Sequence, residues 1–169
     1  MTTPQEVFIY PDHDTLAAAI GARLVTAIAD AQQARGTAHL SLTGGRGGTS
    51  ALVATLADPA SGAIDWGNID FWWSDERFLA AGDPERNETG AREALLDRVP
   101  ALPEKIHYMP RLGEQYGDDV DAAAAGYAAE LSNAFAGQTP IFDVSLLGIG
   151  EDAHVASLFP GRDEQFAEA

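Results

Sequence analysis

Short apolar runs alternate with longer segments of helical spacing along this 169-residue chain, and this alternation limits its possible folds more than any other feature. Five runs are predicted strands, at residues 7–10, 38–42, 69–73, 105–109 and 142–147. Four segments are predicted helices, at residues 15–34, 51–56, 87–97 and 118–134. A strand–helix–strand order favours right-handed parallel crossovers. We therefore expect a doubly wound, Rossmann-like α/β fold, with a mostly parallel sheet and helices on both faces.

Length and composition fit a single α/β domain spanning residues 1–169. The chain has no cysteine, which excludes disulfides, a Cys-based zinc site and a thiol nucleophile. No apolar run approaches the roughly 20 residues that cross a bilayer, and the first ten residues do not resemble a secretory signal. We expect a cytoplasmic protein without a membrane partner. The net charge of −16 argues against a nucleic-acid partner, and the oligomeric state is left open.

The segment 142–161 places reactive groups directly after a predicted strand. Residues 142–147 are apolar enough for a strand buried on both faces, and the glycines that follow, including Gly150, allow a sharp turn. Glu151, Asp152 and His154 come next, at the end of a strand where α/β sheets bind ligands. Histidine is a natural base near neutral pH, and a neighbouring carboxylate can orient its ring. A helix start beside a structural histidine stays open as the alternative. No other histidine has metal-ligand spacing to His154, so no metal site is predicted.

The glycine-rich segment 43–50 follows the second predicted strand. Its backbone N–H groups and the start of the next helix favour phosphate binding, to which Arg46 could add a charged fork. The segment matches neither G-x-G-x-x-G nor a Walker sequence. A tight turn without a ligand is the alternative.

Asp75, Glu76 and Arg77 follow the third predicted strand, which contains the aromatic run 71–73. The arginine could bind a phosphate or a sugar oxygen, and a carboxylate could hold it in place. A solvated charge cluster is the alternative. Asn87 is most simply a helix N-cap. The aromatic run fits the core of the sheet better than a sugar pocket.

Only eight residues follow Gly161. A domain with its site this close to the end usually has further elements, and a sheet that stops here leaves an unpaired edge. We therefore expect the domain to lack its C-terminal part.

Four segments carry a resemblance to a known family. They are LTGG at 42–45, SDERF at 74–78, ERNETGAREALL at 85–96 and LLGIGEDAHVASLFPG at 146–161. In this order and spacing they resemble the 6-phosphogluconolactonase family, within the glucosamine/galactosamine-6-phosphate isomerase superfamily. The family reads G-x-G-x-D-G-H-x-A-S-L-F-P-G in the last segment, and Ala153 departs from it. Related aminosugar-phosphate deaminases and isomerases read DEY rather than DER and continue toward F-N-E-P after the histidine, so Arg77 and residues 157–160 favour the lactonase.

The resemblance implies hydrolysis of 6-phospho-D-glucono-1,5-lactone to 6-phosphogluconate, the second step of the oxidative pentose phosphate pathway, without a cofactor or metal. His154 would take a proton from the attacking water, with Asp152 orienting its ring. Arg77 would bind substrate oxygens or stabilise the oxyanion. The implied substrate-binding residues are Thr43, Gly44, Gly45, Arg46, Asp75, Glu76, Asn87, Gly150 and Ser157.

Two other functions stay open at this point. One is an aminosugar-phosphate deaminase or isomerase on the same fold, and the other is a non-catalytic sugar-phosphate-binding module. Members of the resembled family continue well past Gly161, where later strands and basic residues help to bind the phosphate. If position 153 requires a positive φ, Ala153 costs on the order of 1 kcal/mol and could shift His154.

Overall fold

The computed structural model describes residues 5–166, except for the side chains of residues 164 and 165. Its strands are β1 (Ala38–Leu42), β2 (Ile69–Trp73) and β3 (Val144–Ser145). Its α-helices are α1 (His13–Arg35), α2 (Gly45–Ala57), α3 (Asn87–Ala94) and α4 (Val120–Ala134). Short 3₁₀ helices lie at Pro59–Ala63, Trp66–Asn68, Leu96–Arg98, Pro103–Lys105 and Asp163–Phe166. None of the described helices is long and apolar enough to cross a membrane.

The three strands form a parallel sheet in the order β2-β1-β3, which confirms the predicted α/β class. Side chains alternate between the two faces of each strand. Phe71 and Trp73 join a core with Val25 and Ile28 of α1. Trp72 points to the other face and lies near Tyr127 of α4, with 6.3 Å between the ring centroids. Helices therefore cover both faces, and the aromatic run 71–73 belongs to the core, as predicted.

Helix α1 illustrates how local sequence sets the ends of an element. The Asp12 carboxylate accepts a hydrogen bond of 2.7 Å from the Thr15 N–H at the start of the helix. At the other end Gly36 adopts φ 80°, and its N–H donates to the Gln32 carbonyl. The buried side of the helix carries Leu24 and Ile28. Burial of each such side chain contributes about 1.5–3 kcal/mol.

Two predicted strands are wrong. Residues 7–10 form no strand, and Val7 and Ile9 are 85% and 91% exposed, because the chain does not bring them beside an edge of the sheet. Residues 105–109 make a single parallel bridge between Ile106 and Phe71 rather than a full strand. Pro103 and Pro110 flank this segment and cannot donate to a ladder, which limits its length.

The extent of two further elements also differs from the prediction. Strand β3 has two paired residues instead of six, and Leu147 just beyond it is 56% exposed. Within the described part of the chain β3 is an edge strand beside β1, and its residues are half-buried and exposed, so the prediction of a strand buried on both faces is wrong. Helix α2 begins at Gly45 rather than at residue 51, so most of the glycine-rich segment is helical.

An ion-pair cluster joins helix α4 to strand β2. The His107 ring stacks on the Trp72 ring, with 3.8 Å between the ring centroids. Its Nδ1 lies 2.7 Å from a Glu130 oxygen, and its Nε2 lies 2.9 Å from an Asp70 oxygen. Lys105 also pairs with Asp70, at 2.8 Å. Two carboxylate partners require a proton on both ring nitrogens, so the ring is an imidazolium here.

The same contacts shift two pKa values in opposite directions. Burial lowers the pKa of His107, but the hydrogen bonds to Asp70 and Glu130 outweigh it and raise that pKa above its usual 6.5. Burial raises the pKa of Asp70, but the hydrogen bonds from His107 and Lys105 outweigh it and lower that pKa from 3.8 to about 2. The nearby His39 has a lowered pKa, chiefly because of its burial. Asp70 and His107 therefore both carry their charge between pH 3.8 and 6.5.

We predict that this cluster makes stability depend on pH. A raised histidine pKa contributes stability that is present below the unfolded value of 6.5 and is lost as the pH rises through the folded value. The contribution of Asp70 is present above 3.8 and is lost as the pH falls toward 2. The unfolding free energy of His107→Gln, measured by urea unfolding, should therefore decrease less than that of the wild type as the pH rises above 6.5.

The His13→Gln variant is the control, because His13 lies at the start of α1, outside this cluster. It should retain the wild-type pH dependence. An identical pH dependence in His107→Gln and the wild type would contradict the assignment.

Candidate active site

A cleft of ≈ 310 Å³ lies where the three strands end at their carboxyl edge. Three parts of the chain line it: the start of α2, the segment after β2 with the start of α3, and the turns after β3. The lining residues are Thr43, Gly44, Gly45, Arg46, Gly47, Gly48, Asp75, Arg77, Asn87, Gly148, Ile149, Gly150, His154 and Ala156. This is the edge at which parallel α/β sheets bind ligands.

The structure brings most of the predicted site residues to this cleft. Nine line it directly: Thr43, Gly44, Gly45, Arg46, Asp75, Arg77, Asn87, Gly150 and His154. Asp152 and Ser157 are exposed residues outside this lining and contact it through hydrogen bonds to His154 and Asp75. Glu76 is the exception, because its side chain is 3% exposed and does not line the cleft.

The N-terminus of helix α2 forms one wall. Gly44 is the N-cap residue, with extended backbone and no side-chain cap, so the first N–H groups of the helix are available to a ligand. An anion is favoured there by these donors and by the helix dipole. A Cβ at Gly44 would lie 1.7 Å from the Asn87 amide oxygen, so only glycine allows α3 to approach this closely.

Asp75 connects two walls of the cleft. The Asn87 side-chain amide donates to the Asp75 carbonyl at 2.9 Å and to its carboxylate at 3.2 Å. The Ser157 hydroxyl donates to the other carboxylate oxygen at 2.9 Å. The predicted N-cap role of Asn87 is wrong, because Arg86 is the N-cap residue and the Asn87 side chain is held by Asp75 instead.

His154 is held by a tight turn in the segment after β3. The Ala153 N–H donates to the Gly150 carbonyl, and the Gly150 N–H donates to the His154 carbonyl, both at 2.9 Å. Glu151 and Asp152 occupy the turn, so the alternative of a helix start is wrong. A Cβ at Gly150 would lie 2.2 Å from Nδ1 of the imidazole, which shows how closely the ring packs on this glycine.

The Asp152 carboxylate orients the imidazole of His154. Nδ1 of the ring lies 2.5 Å from an Asp152 oxygen. The centroids of the His154 and Phe159 rings are 4.6 Å apart. The hydrogen bond from the ring lowers the pKa of Asp152. Because a carboxylate can only accept, Nδ1 carries the proton and Nε2 of the neutral ring keeps a lone pair that can take a proton from water.

Arg77 lines the cleft from the segment after β2, and its side chain is anchored at one point. Its Nη1 donates to the Glu85 carbonyl at 2.6 Å. A guanidinium has five N–H donors, so others remain for a ligand. The carboxylate of Glu76, expected among the substrate-binding groups, instead accepts backbone N–H groups of Arg77, Asn87 and Glu88.

Ala153 has a left-handed backbone, with φ 67°. An L-residue with a Cβ pays on the order of 1 kcal/mol for this conformation, whereas glycine does not. The position therefore favours glycine, and the chain tolerates alanine there next to His154.

Sequence reasoning missed the buried Arg86, whose side chain is 0% exposed beneath the cleft. An arginine within a highly charged segment is usually solvated, so its sequence context gives no signal of burial. The lining residues without a reactive side chain, such as Gly148 and Ala156, were missed for a similar reason, because no side-chain chemistry marks them in the sequence.

Among the described residues no group of three or more His, Asp or Glu side chains is placed to hold a metal ion.

This chain is similar to a known family and to several of its members. The family model described as glucosamine-6-phosphate isomerases/6-phosphogluconolactonase matches residues 11–169. A 6-phosphogluconolactonase of Streptomyces coelicolor is 53% identical over 162 residues, covering 94% of this chain and 62% of that protein. One of Mycobacterium tuberculosis is 44% identical over 154 residues, covering 90% of this chain and 62% of that protein. The chain thus spans about 62% of the length of these curated relatives.

Solved structures share the fold. A 6-phosphogluconolactonase from Leishmania guyanensis has a TM-score of 0.80 at 26% identity, covering 99% of this chain and 68% of that one. A monomeric glucosamine-6-phosphate deaminase has a TM-score of 0.72 at 18% identity, covering 89% and 58%. The fold is therefore common to both activities and does not choose between them.

We predict that Gly150→Ala displaces the His154 ring without unfolding the chain. The new Cβ would overlap the imidazole, whose side chain can swing away at little cost to stability. The NMR signal of the Nδ1 proton bonded to Asp152 should shift or disappear. The matched control is Gly47→Ala, which lines the same cleft and whose Cβ would meet nothing within 4 Å. An unmoved ring in Gly150→Ala would contradict this account of the contact.

We also predict that Ala153→Gly stabilises the chain by about 0.5–1 kcal/mol, because glycine relieves the left-handed strain. Urea unfolding measures this change. Ala125→Gly is the control, since Ala125 is an exposed residue inside α4 and glycine should destabilise that helix by about 0.5–1 kcal/mol. A loss of stability in both variants would show that position 153 carries no strain.

Proposed function

Because the chain belongs to the family of glucosamine-6-phosphate isomerases and 6-phosphogluconolactonases, we propose that it hydrolyses 6-phospho-D-glucono-1,5-lactone to 6-phosphogluconate. The observation that carries this proposal is the shared cleft. It combines an oriented imidazole, a guanidinium and a helix N-terminus within ≈ 310 Å³. A base, a group for a developing oxyanion and an anion site are what this reaction requires.

The reaction begins with attack of a water molecule on the lactone carbonyl carbon, C1. His154 accepts the proton of the water at Nε2, and Asp152 stabilises the imidazolium that forms. The negative charge that develops on the carbonyl oxygen is stabilised by Arg77. Collapse of the tetrahedral intermediate breaks the bond from C1 to the ring oxygen, and His154 returns the proton to that oxygen. The products are a hydroxyl group and a carboxylic acid, which releases the second proton of the water to solvent and becomes a carboxylate.

The N-terminus of α2 is the proposed site for the phosphate of the substrate. The N–H groups after Gly44 supply donors, and Arg46 adds a positive charge at the same wall. The other wall, with Arg77 and Asn87, then faces the sugar oxygens. In this orientation the lactone carbonyl lies on the His154 side of the cleft.

The alternative of an aminosugar-phosphate deaminase finds no specific support in this chain. The deaminase of similar fold is 18% identical, whereas lactonases are 53% and 44% identical over most of the chain. The arginine at position 77, rather than a tyrosine, also favours the lactonase. The proposal therefore stands on sequence similarity together with the groups in the cleft.

We predict that His154→Gln lowers kcat for lactone hydrolysis by about 10²–10⁴-fold, because the general base is lost. The rate is measured as formation of 6-phosphogluconate above the spontaneous hydrolysis of the lactone. Binding of 6-phosphogluconate, measured by calorimetry, should be retained. His13→Gln, at the start of α1, is the control and should leave the rate unchanged.

Two outcomes would count against the proposal in different ways. Unchanged turnover in His154→Gln would remove the histidine from the mechanism. Binding of 6-phosphogluconate by the wild-type chain without hydrolysis would favour a non-catalytic sugar-phosphate-binding module.

A further inference from the structure

A buried group of charges lies behind the Arg77 wall of the cleft. The side chains of Arg86, Glu76 and Glu88 are 0%, 3% and 4% exposed. Arg86 lies 3.6 Å from the Glu76 carboxylate and 3.5 Å from that of Glu88. Burial of such groups costs several kcal/mol per ion, which their mutual attraction offsets only when the remaining hydrogen bonds are made. The hydrogen bonds that they make therefore indicate what the group does.

Glu76 and Arg86 hold opposite ends of the Arg77 backbone. The Arg77 N–H donates to the Glu76 carboxylate at 2.8 Å, and the Arg77 carbonyl accepts from Nη1 of Arg86 at 3.0 Å. The same Nη1 donates to the Leu79 carbonyl at 3.1 Å, and Nη2 donates to the Met109 carbonyl at 2.8 Å. The segment that carries Arg77 is thereby tied to the buried guanidinium at several points.

Glu76 also fixes the start of helix α3. One carboxylate oxygen accepts the Asn87 N–H at 2.7 Å, and the other accepts the Glu88 N–H at 2.8 Å. A single carboxylate thus joins the backbone of Arg77 to that of Asn87, and both residues line the cleft. A carboxylate at a helix N-terminus is also favoured by the helix dipole.

Arg77 is an exposed residue with a long side chain, so contacts with the protein are needed to hold that side chain in one orientation. It has several rotatable bonds, and holding it in one orientation costs about 1.5–2 kcal/mol of rotamer freedom. Its anchor, the Glu85 carbonyl, belongs to the residue directly before Arg86. The backbone and the anchor of Arg77 therefore depend on the same buried pair.

We propose that Arg86 and Glu76 are positioning residues, which set the orientation of Arg77 toward the substrate without touching it. This inference rests on the proposed lactone hydrolysis for its catalytic consequence. Misplacement of a charge-stabilising group by about 1 Å can reduce the rate by about 100-fold. The pair would therefore act on kcat through Arg77, in addition to its contribution to stability.

The test is a double-mutant cycle on the full chain. Arg86→Lys keeps the positive charge but lacks the planar fork that reaches three carbonyl groups. Glu76→Gln keeps the shape but places an amide donor or a weaker acceptor against the backbone N–H groups of α3. Each change should lower kcat by about 10- to 100-fold in the wild-type background. In the Arg77→Ala background each should change kcat by less than about twofold, because the group that is being positioned is absent.

Arg92→Lys is the matched control. Arg92 pairs with Glu88 at 2.8 Å within the same helix but makes no hydrogen bond to the Arg77 segment in the described structure. It should leave kcat unchanged. A purely structural role for Arg86 and Glu76 predicts equal losses of kcat with and without Arg77, and that result would overturn the proposal. Unchanged kcat in folded Arg86→Lys and Glu76→Gln proteins would overturn it as well.

A second measurement separates this inference from the proposed function. Backbone and side-chain ¹⁵N relaxation of Arg77 reports its order directly, without a substrate. Both variants should lower the order parameters of Arg77, whereas Arg92→Lys should not. Arg77 that stays as ordered as in the wild type would overturn the inference even if the lactonase is active. A wild-type chain without lactonase activity, but with the expected loss of order in the variants, would overturn the proposed function alone.

Discussion

The parallel pairing of β1 with both neighbours is the constraint on which the site depends. Leu42 is in register with Trp73, and Ser41 is in register with Ser145, so the three strands end at the same edge. The Ser74 N–H bonds to the Leu42 carbonyl at 2.9 Å and extends this alignment past the last paired residue. A shift of one residue would turn every side chain to the opposite face of the sheet. The groups of the cleft would then no longer converge.

Beyond the strands, the walls of the cleft are held by close approach rather than by regular structure. Gly44 admits Asn87, and Gly150 admits the ring of His154, at distances that a Cβ would exclude. Asp75 then bonds to Asn87 on one side and to Ser157 on the other. The two glycines allow the segments that line the cleft to pack closely, and the Asp75 carboxylate links the segments of Asn87 and Ser157 through hydrogen bonds. This combination explains how irregular turns after β3 can hold a side chain in a defined place.

The sequence predicted the central part of the fold because its periodicity is local. Strands 38–42 and 69–73 and the long helix α1 were found from apolar spacing, and most of the cleft residues lie just after predicted strands. The errors concern features that depend on distant neighbours. Residues 7–10 have the composition of a strand but pair with no strand among residues 5–166. Glu76 and Arg86 have the composition of a surface cluster, and only the folded chain shows that they are buried against one another.

The net charge of −16 opposes binding of the anionic substrate that we propose for this chain. At physiological ionic strength the field of exposed charges is screened over about 8 Å, so distant carboxylates contribute little. Inside the cleft Arg46 lies in the first turn of α2, and Arg77 lies on the other wall. Both oxygens of the nearby Asp75 carboxylate accept hydrogen bonds, from Asn87 and Ser157, and one oxygen of Asp152 accepts from His154. A bound phosphate ester would therefore meet a locally donor-rich surface, and the acidic exterior would act mainly on the rate of encounter rather than on the bound state.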